Sequence, residues 1–102
     1  MAYSGNFLYN QPSVAVSAPD SLGVYYCGSL NQDRSLGALY VGRALGDGVT
    51  IKSRLRDHFS DRWPDVTHFG FRICTTMKEA EDLESSEIQR LQPKYNKVGK
   101  GW

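Results

Sequence analysis

Residues 23–43 read GVYYCGSLNQDRSLGALYVGR. Two short runs rich in β-branched and aromatic residues, Leu22–Ser29 and Ala38–Arg43, flank the polar stretch Asn31–Gly37. That pattern predicts an antiparallel hairpin. Each arm sets a tyrosine close to a glycine, and side chains alternate across a strand. Tyr25 and Cys27 therefore share one face and Val24 and Tyr26 the other, while Tyr40 faces away from Leu39 and Val41. Cross-strand register is not readable at this level. Two phenols facing one cleft would make half of an active site; two phenols in a core would only fill it.

The surrounding chain gives the hairpin something to pack against. Gly46-Asp47-Gly48 breaks the second arm, and Thr50 is placed to cap a helix. Ile51, Leu55 and Phe59 recur at a spacing of four along that helix, which Trp63-Pro64 should end. His68–Thr75 alternates Phe69, Phe71 and Ile73 with His68, Gly70, Arg72 and Cys74, as a half-buried third strand does. Thr75 or Thr76 can cap a second helix running to about Gln92, just before Pro93. Residues 1–22, with Pro12, Pro19 and no sustained period, read as an irregular arm with a short extended piece around Ser13–Val16. The expected fold is α+β in the order β-β-α-β-α: a small three-stranded antiparallel or mixed sheet flanked by helices. The folded domain is expected over 23–98, with a tail at 99–102.

Composition narrows the function classes. A chain of 102 residues suits one domain with one modest core. Twelve Lys and Arg against eleven Asp and Glu leave a net charge of +1, a weak footprint for gripping nucleic acid. The charge is uneven, however. Arg43, Lys52, Arg54, Arg56 and Arg62 cluster centrally, and Lys94, Lys97 and Lys100 lie near the end. No apolar run approaches the roughly 20 residues of a membrane helix, and no charged start followed by an apolar stretch suggests a signal peptide. Cys27 and Cys74 have no metal-ligand spacing and sit in apolar runs, as buried reduced thiols do. A cytoplasmic location is the expectation.

Polar residues on apolar faces mark the candidate site. At about 100° per residue, Met77, Ala80, Leu83, Ile88 and Leu91 share one arc of the second helix, with Glu84 near its middle. A carboxylate there is costly unless a cation meets it; the alternative is a side chain reaching solvent or an arginine. Glu87, also within the arc, reads as structural. Arg54 and His58 are four apart, hence neighbours on one face of the first helix. The plain alternative is a pair of edge residues that snorkel.

Taken in order, these stretches resemble the GIY-YIG nuclease family. Gly23-Val24-Tyr25 and Tyr40-Val41-Gly42 look like its two defining motifs. Ile51–Phe59 is similar to its helix bearing an essential arginine, often followed by a histidine. Glu79–Glu84 with Ile88 looks like its metal-binding helix, and Leu91–Asn96 like its closing motif, so the similarity spans about Gly23 to Asn96. The resemblance implies a DNA endonuclease in which Glu84 holds a single Mg²⁺, with Mn²⁺ as a substitute. Arg54 would stabilise the transition state, and Tyr25 and Tyr40 would line the attacking water, with the choice of base left open. Gly42, Arg43, His58 and Asn96 would support the site. Arg43 would contact phosphate or perturb Tyr40, and Arg43, Lys52, Arg56 and Lys94 would contact nucleic acid. The loop Ala44–Thr50 is longer and richer in glycine than in compact relatives. A catalytically inactive module binding nucleic acid or a protein partner is the rival reading. Oligomeric state, substrate preference and pathway are open.

Overall fold

A computed structural model describes residues 2–97 of the chain. Its elements are β1 (Tyr3–Leu8), α1 (Gln11–Ser17), β2 (Gly23–Leu30), β3 (Leu36–Ala44), α2 (Ile51–Asp57), β4 (His68–Ile73), α3 (Met77–Leu91) and α4 (Lys94–Lys97). The strands form a four-stranded sheet in the order β1-β4-β2-β3, and every pair is antiparallel. The α+β class and the flanking helices agree with expectation, but the sheet has one strand more than the three anticipated.

The additional strand comes from the stretch read as an irregular arm. Tyr3–Leu8 pairs with β4, with an irregularity between Ser4 and Phe7 that blurs its alternation. The piece expected to be extended around Ser13–Val16 is instead the middle of α1. Asn10 caps this helix by accepting from the Ser13 N–H at 2.9 Å, and Pro12 sits in its first turn, where no N–H is needed. Seven residues are too few for a helical period to emerge, and Val14 alone in α1 is buried. The expected tail at 99–102 lies outside the described residues.

The β2–β3 register brings the tyrosines together. Tyr25 pairs with Gly42 and Cys27 with Tyr40, whereas Gly28 pairs with Ala38, leaving Leu39 as a bulge. A bulged residue shifts the facing of everything beyond it by one position. Leu36 and Ala38 pack on the α3 side with Tyr26, but Tyr40 joins Tyr25 and Cys27 on the opposite side. Gly28 permits this close pairing: a Cβ there would lie 2.0 Å from the Gly37 carbonyl oxygen. Gly42 has a comparable role. The Tyr25 ring lies across it, so a Cβ would sit 2.3 Å from Tyr25 Oη.

Two cores result, one on each face of the sheet. Val14, Ile51, Leu55, Phe69 and Phe71 pack with Tyr25 and Cys27 on one side; Val24, Val41, Cys74 and Ala80 pack with Tyr26 on the other. Both cysteines are buried. α3 begins as expected, Thr76 and Glu79 forming a reciprocal capping box, but Met77 is 53% exposed rather than part of the apolar face. Glu87 is structural: it is 6% exposed, accepts from Tyr26 Oη at 2.7 Å and is held by Arg90 at 2.7 and 3.0 Å. α2 ends at Asp57, earlier than expected, and tightens into a 3₁₀ turn over His58–Asp61.

Two consequences for stability follow from these contacts. Gly42→Ala forces the Tyr25 ring to move and should cost about 1–3 kcal/mol, as overpacking does, read as a lower urea midpoint at unchanged slope. The Arg90 guanidinium, against the smaller opposing effect of burial, holds the Glu87 carboxyl below its ordinary value of 4.5. A depressed folded-state value gives stability that is present above that ordinary value and lost as pH falls through the depressed one. Glu87→Gln should therefore be less stable than wild type at pH 7, and the gap should narrow in melts taken towards pH 3.

Candidate active site

β3 is an edge strand of the sheet, and a cleft of about 480 Å³ opens along it. Tyr40, Arg43, Arg54, Glu84 and Asn96 line the cleft, with Gly46 and Val49 of the β3–α2 loop on its border. Alternation explains how one strand supplies two of these groups. Tyr40 projects to the α2 side and Arg43, three residues on, to the α3 side, so their side chains wrap the same edge. α2 brings Arg54 from one face, and α3 brings Glu84 from the other.

Glu84 turns into this cleft and accepts from Arg43 Nη1 at 2.8 Å, with its side chain 16% exposed. The arginine partner is the one the plainer reading of this acid anticipated, and the carboxylate that it meets borders the cleft. Asn96 completes the strand edge. Its Oδ1 accepts from the Val41 N–H and its Nδ2 donates to the Val41 carbonyl, both at 2.8 Å, as a neighbouring strand would. Asn96 is buried, which fits a support role more directly than a solvent-facing one.

Behind Tyr40 lies a second layer. Tyr25 is fully buried, its ring centroid 6.2 Å from that of Tyr40. Its hydroxyl meets His58 Nε2 at 2.8 Å and also interacts with Arg54. Arg54 and His58 do share a face, and that face points at Tyr25. Burial pushes the Tyr25 phenol well above its ordinary value, the neighbouring Tyr40 adds to this, and Arg54 pulls the other way without prevailing. Tyr40 is also raised, again by burial first and against Arg54, with Glu84 adding to the rise. The nearby cations thus moderate the phenols but do not bring either below the tyrosine range.

The other expected nucleic-acid contacts lie outside the cleft. Lys52 pairs with Asp20 at 3.6 Å, Lys94 with Asp65 at 3.1 Å, and Arg56 is exposed in the last turn of α2. Two site residues escaped the sequence reading altogether. Asp61 lies 2.7 Å from His58 Nδ1, and Trp63 stacks on the His58 ring at 4.9 Å and lies 4.9 Å from Tyr40. Trp63 read only as a helix end. Asp61, three residues after His58, would have stood out had the 3₁₀ turn been anticipated, because residues three apart eclipse in that geometry.

This sheet, with a cleft at its β3 edge and helices bringing an arginine and a glutamate to it from opposite faces, has the GIY-YIG endonuclease-domain fold. It is similar to the N-terminal endonuclease domain of UvrC from Thermotoga maritima bound to magnesium, at a TM-score of 0.63 and 20% identity, over 84% of this chain and 98% of that one. Two point-mutant forms of that domain, also bound to its catalytic divalent cation, match at TM-scores of 0.62 and 0.61 with 20% and 21% identity. Each match covers 84% of this chain and 97% of the other. No protein-family model matches the sequence, and no curated protein matches it.

Asn96→Ala would leave the Val41 N–H and carbonyl without their partner in a buried place. The expected loss is about 2 kcal/mol or more, from about 1–3 kcal/mol per unsatisfied group, measured by urea denaturation.

Proposed function

We propose that this chain is a divalent-metal-dependent endonuclease that hydrolyses DNA phosphodiester bonds. The observation that carries this reading is the meeting of Tyr40, Arg54 and Glu84 in one cleft on a GIY-YIG fold. Phosphodiester hydrolysis needs a positioned water, countercharge for the developing anion and a Lewis acid. Each residue type in the cleft answers one of these needs.

The donor set fits a hard cation that keeps most of its water. Mg²⁺ is commonly held by one or two carboxylates, with waters and substrate oxygens as its remaining ligands. Glu84 supplies one carboxylate at the wall of a cleft roomy enough for waters and a phosphate. Arg43 now meets that carboxylate, so the position already favours positive charge. Glu84 would hold the ion, which when bound supplies Lewis acidity and charge neutralisation at the scissile phosphate. Mn²⁺ has the same preference for oxygen ligands and should substitute.

The chain's own residues divide the remaining work. Arg54 lies where it can offset charge on the phosphoryl oxygens. Tyr40, the tyrosine that reaches the cleft, orients the attacking water and takes its proton; Tyr25 stands behind it. Arg43, released from Glu84, would contact a backbone phosphate. With a net charge of +1, non-specific affinity for DNA is weak and falls as salt rises.

The test incubates wild type, Glu84→Ala and Tyr40→Phe with plasmid, branched and single-stranded DNA at low salt, with Mg²⁺, Mn²⁺ or chelator. Cleavage by wild type should cease with chelator, and each variant should lose about 10²-fold or more in rate. A wild type that cuts nothing but binds DNA without metal, equally with Glu84→Ala, would overturn the enzyme reading in favour of a binding module.

A further inference from the structure

Two guanidiniums border the cleft, and they are held differently. Arg54 interacts with Tyr25 in the second layer and lies 3.8 Å from Asp57. Arg43 reaches across from β3 to α3 and sets Nη1 2.8 Å from Glu84 Oε1. Among the described residues, Glu84 has no other hydrogen-bond or ion-pair partner. The two members of this pair are unequally buried, the arginine side chain being 41% exposed and the glutamate side chain 16%. Arg43 can therefore turn into solvent at small cost. The carboxylate it leaves is largely screened from water and needs another cation in its place.

Resting on the nuclease reading above, we propose that Arg43 gates the metal site: it competes with divalent cations for the Glu84 carboxylate until a DNA phosphate draws it away. A guanidinium offers a phosphate a matched pair of N–H donors, whereas a carboxylate suits a hard divalent cation. A phosphate that takes Arg43 thus frees the carboxylate oxygens that a cation needs. By linkage the effect runs both ways. DNA tightens cation binding, and a cation on Glu84, by releasing Arg43, tightens DNA binding. The strength of a partly exposed ion pair sets the scale, about three- to fivefold in affinity, so Arg43 biases the site and does not lock it.

The fold confines this exchange to side chains. Arg43 is paired with Val24 across β2 and β3, and Asn96 holds both backbone groups of Val41 two residues earlier. Glu84 lies in the middle of α3, a helix of 15 residues whose N-terminus is closed by its capping box. Neither backbone has to move when the pair opens. Arg54, on α2, has partners of its own in Tyr25 and Asp57, so the part of gate falls to Arg43.

The experiment titrates Mn²⁺ and follows the free ion by electron paramagnetic resonance, which needs no cleavage. It compares wild type, Arg43→Gln, Arg43→Lys, Glu84→Ala and Lys78→Gln, each alone and with single-stranded or duplex phosphorothioate oligonucleotides that resist hydrolysis. Lys78→Gln removes the same charge from an exposed place on the same helix. Glu84→Ala should lose the site. Without DNA, Arg43→Gln should bind Mn²⁺ about three- to fivefold more tightly than wild type, and Arg43→Lys, which keeps the charge, should return towards wild type. Lys78→Gln should change by less than about twofold, because exposed charges are screened. DNA should tighten Mn²⁺ binding more in wild type than in Arg43→Gln. Wild-type or weaker Mn²⁺ affinity in an Arg43→Gln protein that circular dichroism shows to be folded overturns the gate, as does an equal gain in Lys78→Gln. So, independently of any variant, does a bound oligonucleotide that leaves the Mn²⁺ affinity of wild type unchanged. With Glu84→Ala still deficient, these three results leave the nuclease reading intact. A wild type that holds no Mn²⁺ at Glu84, with or without DNA, overturns the nuclease reading and the gate together.

Discussion

The contact on which this structure turns is the Tyr25 ring lying over Gly42. The two residues are direct partners across β2 and β3, and the missing side chain of one makes room for the ring of the other. That ring is fully buried, so its position is fixed by packing rather than by solvent-exposed hydrogen bonds. Tyr40, two residues before Gly42 and so on the same face, sets its ring centroid 6.2 Å from that of Tyr25. The opening pair of motifs is thus one packing unit: each glycine–tyrosine neighbourhood makes sense only in the presence of the other strand.

The Leu39 bulge determines what that unit can do. Without it, Tyr40 would share a face with Leu36 and Ala38 and would point into the apolar layer beneath α3. With it, Tyr40 joins Tyr25 while Val41 and Arg43 remain on the α3 side. β3 therefore presents an aromatic group to one face and a guanidinium to the other within four residues. Because β3 is an edge strand, α2 and α3 can both deliver polar groups to the same cleft without burying unpaired charge in a core. Asn96 closes the edge at Val41 and spares that position the unpaired backbone groups that edge strands carry.

Much of this was legible in the chain. The hairpin, the cap at Thr50 and the alternation of Phe69 and Phe71 declared themselves through period and turn chemistry, and the helical period placed Glu84 within the apolar arc of α3 without deciding what would meet it. The failures have physical causes. α1 spans two turns, too short for periodicity, and β1 is an outer strand whose irregular pairing breaks alternation. The Leu39 bulge is invisible because it depends on pairing, not on composition. The early end of α2 is equally hidden: Phe59 continues the spacing of four, yet it packs against Tyr9 at 4.6 Å from within a 3₁₀ turn. A hydrophobic partner just beyond a strand not foreseen accommodates a tighter helix than the spacing suggests. Asp61 was lost with that turn.

The phenols pose the sharpest physical problem. Burial raises both Tyr25 and Tyr40, and Arg54 only partly offsets it. A tyrosine working alone would have to sit as a phenolate in a place that disfavours charge, or accept a proton it has nowhere to pass. The second layer suits a phenol that stays protonated. Tyr25 Oη has the His58 Nε2 at 2.8 Å, and the other ring nitrogen of His58 lies 2.7 Å from Asp61, so the more buried hydroxyl has a hydrogen-bond partner and need not carry charge to satisfy its oxygen. Of the two phenols, only Tyr40 borders the cleft.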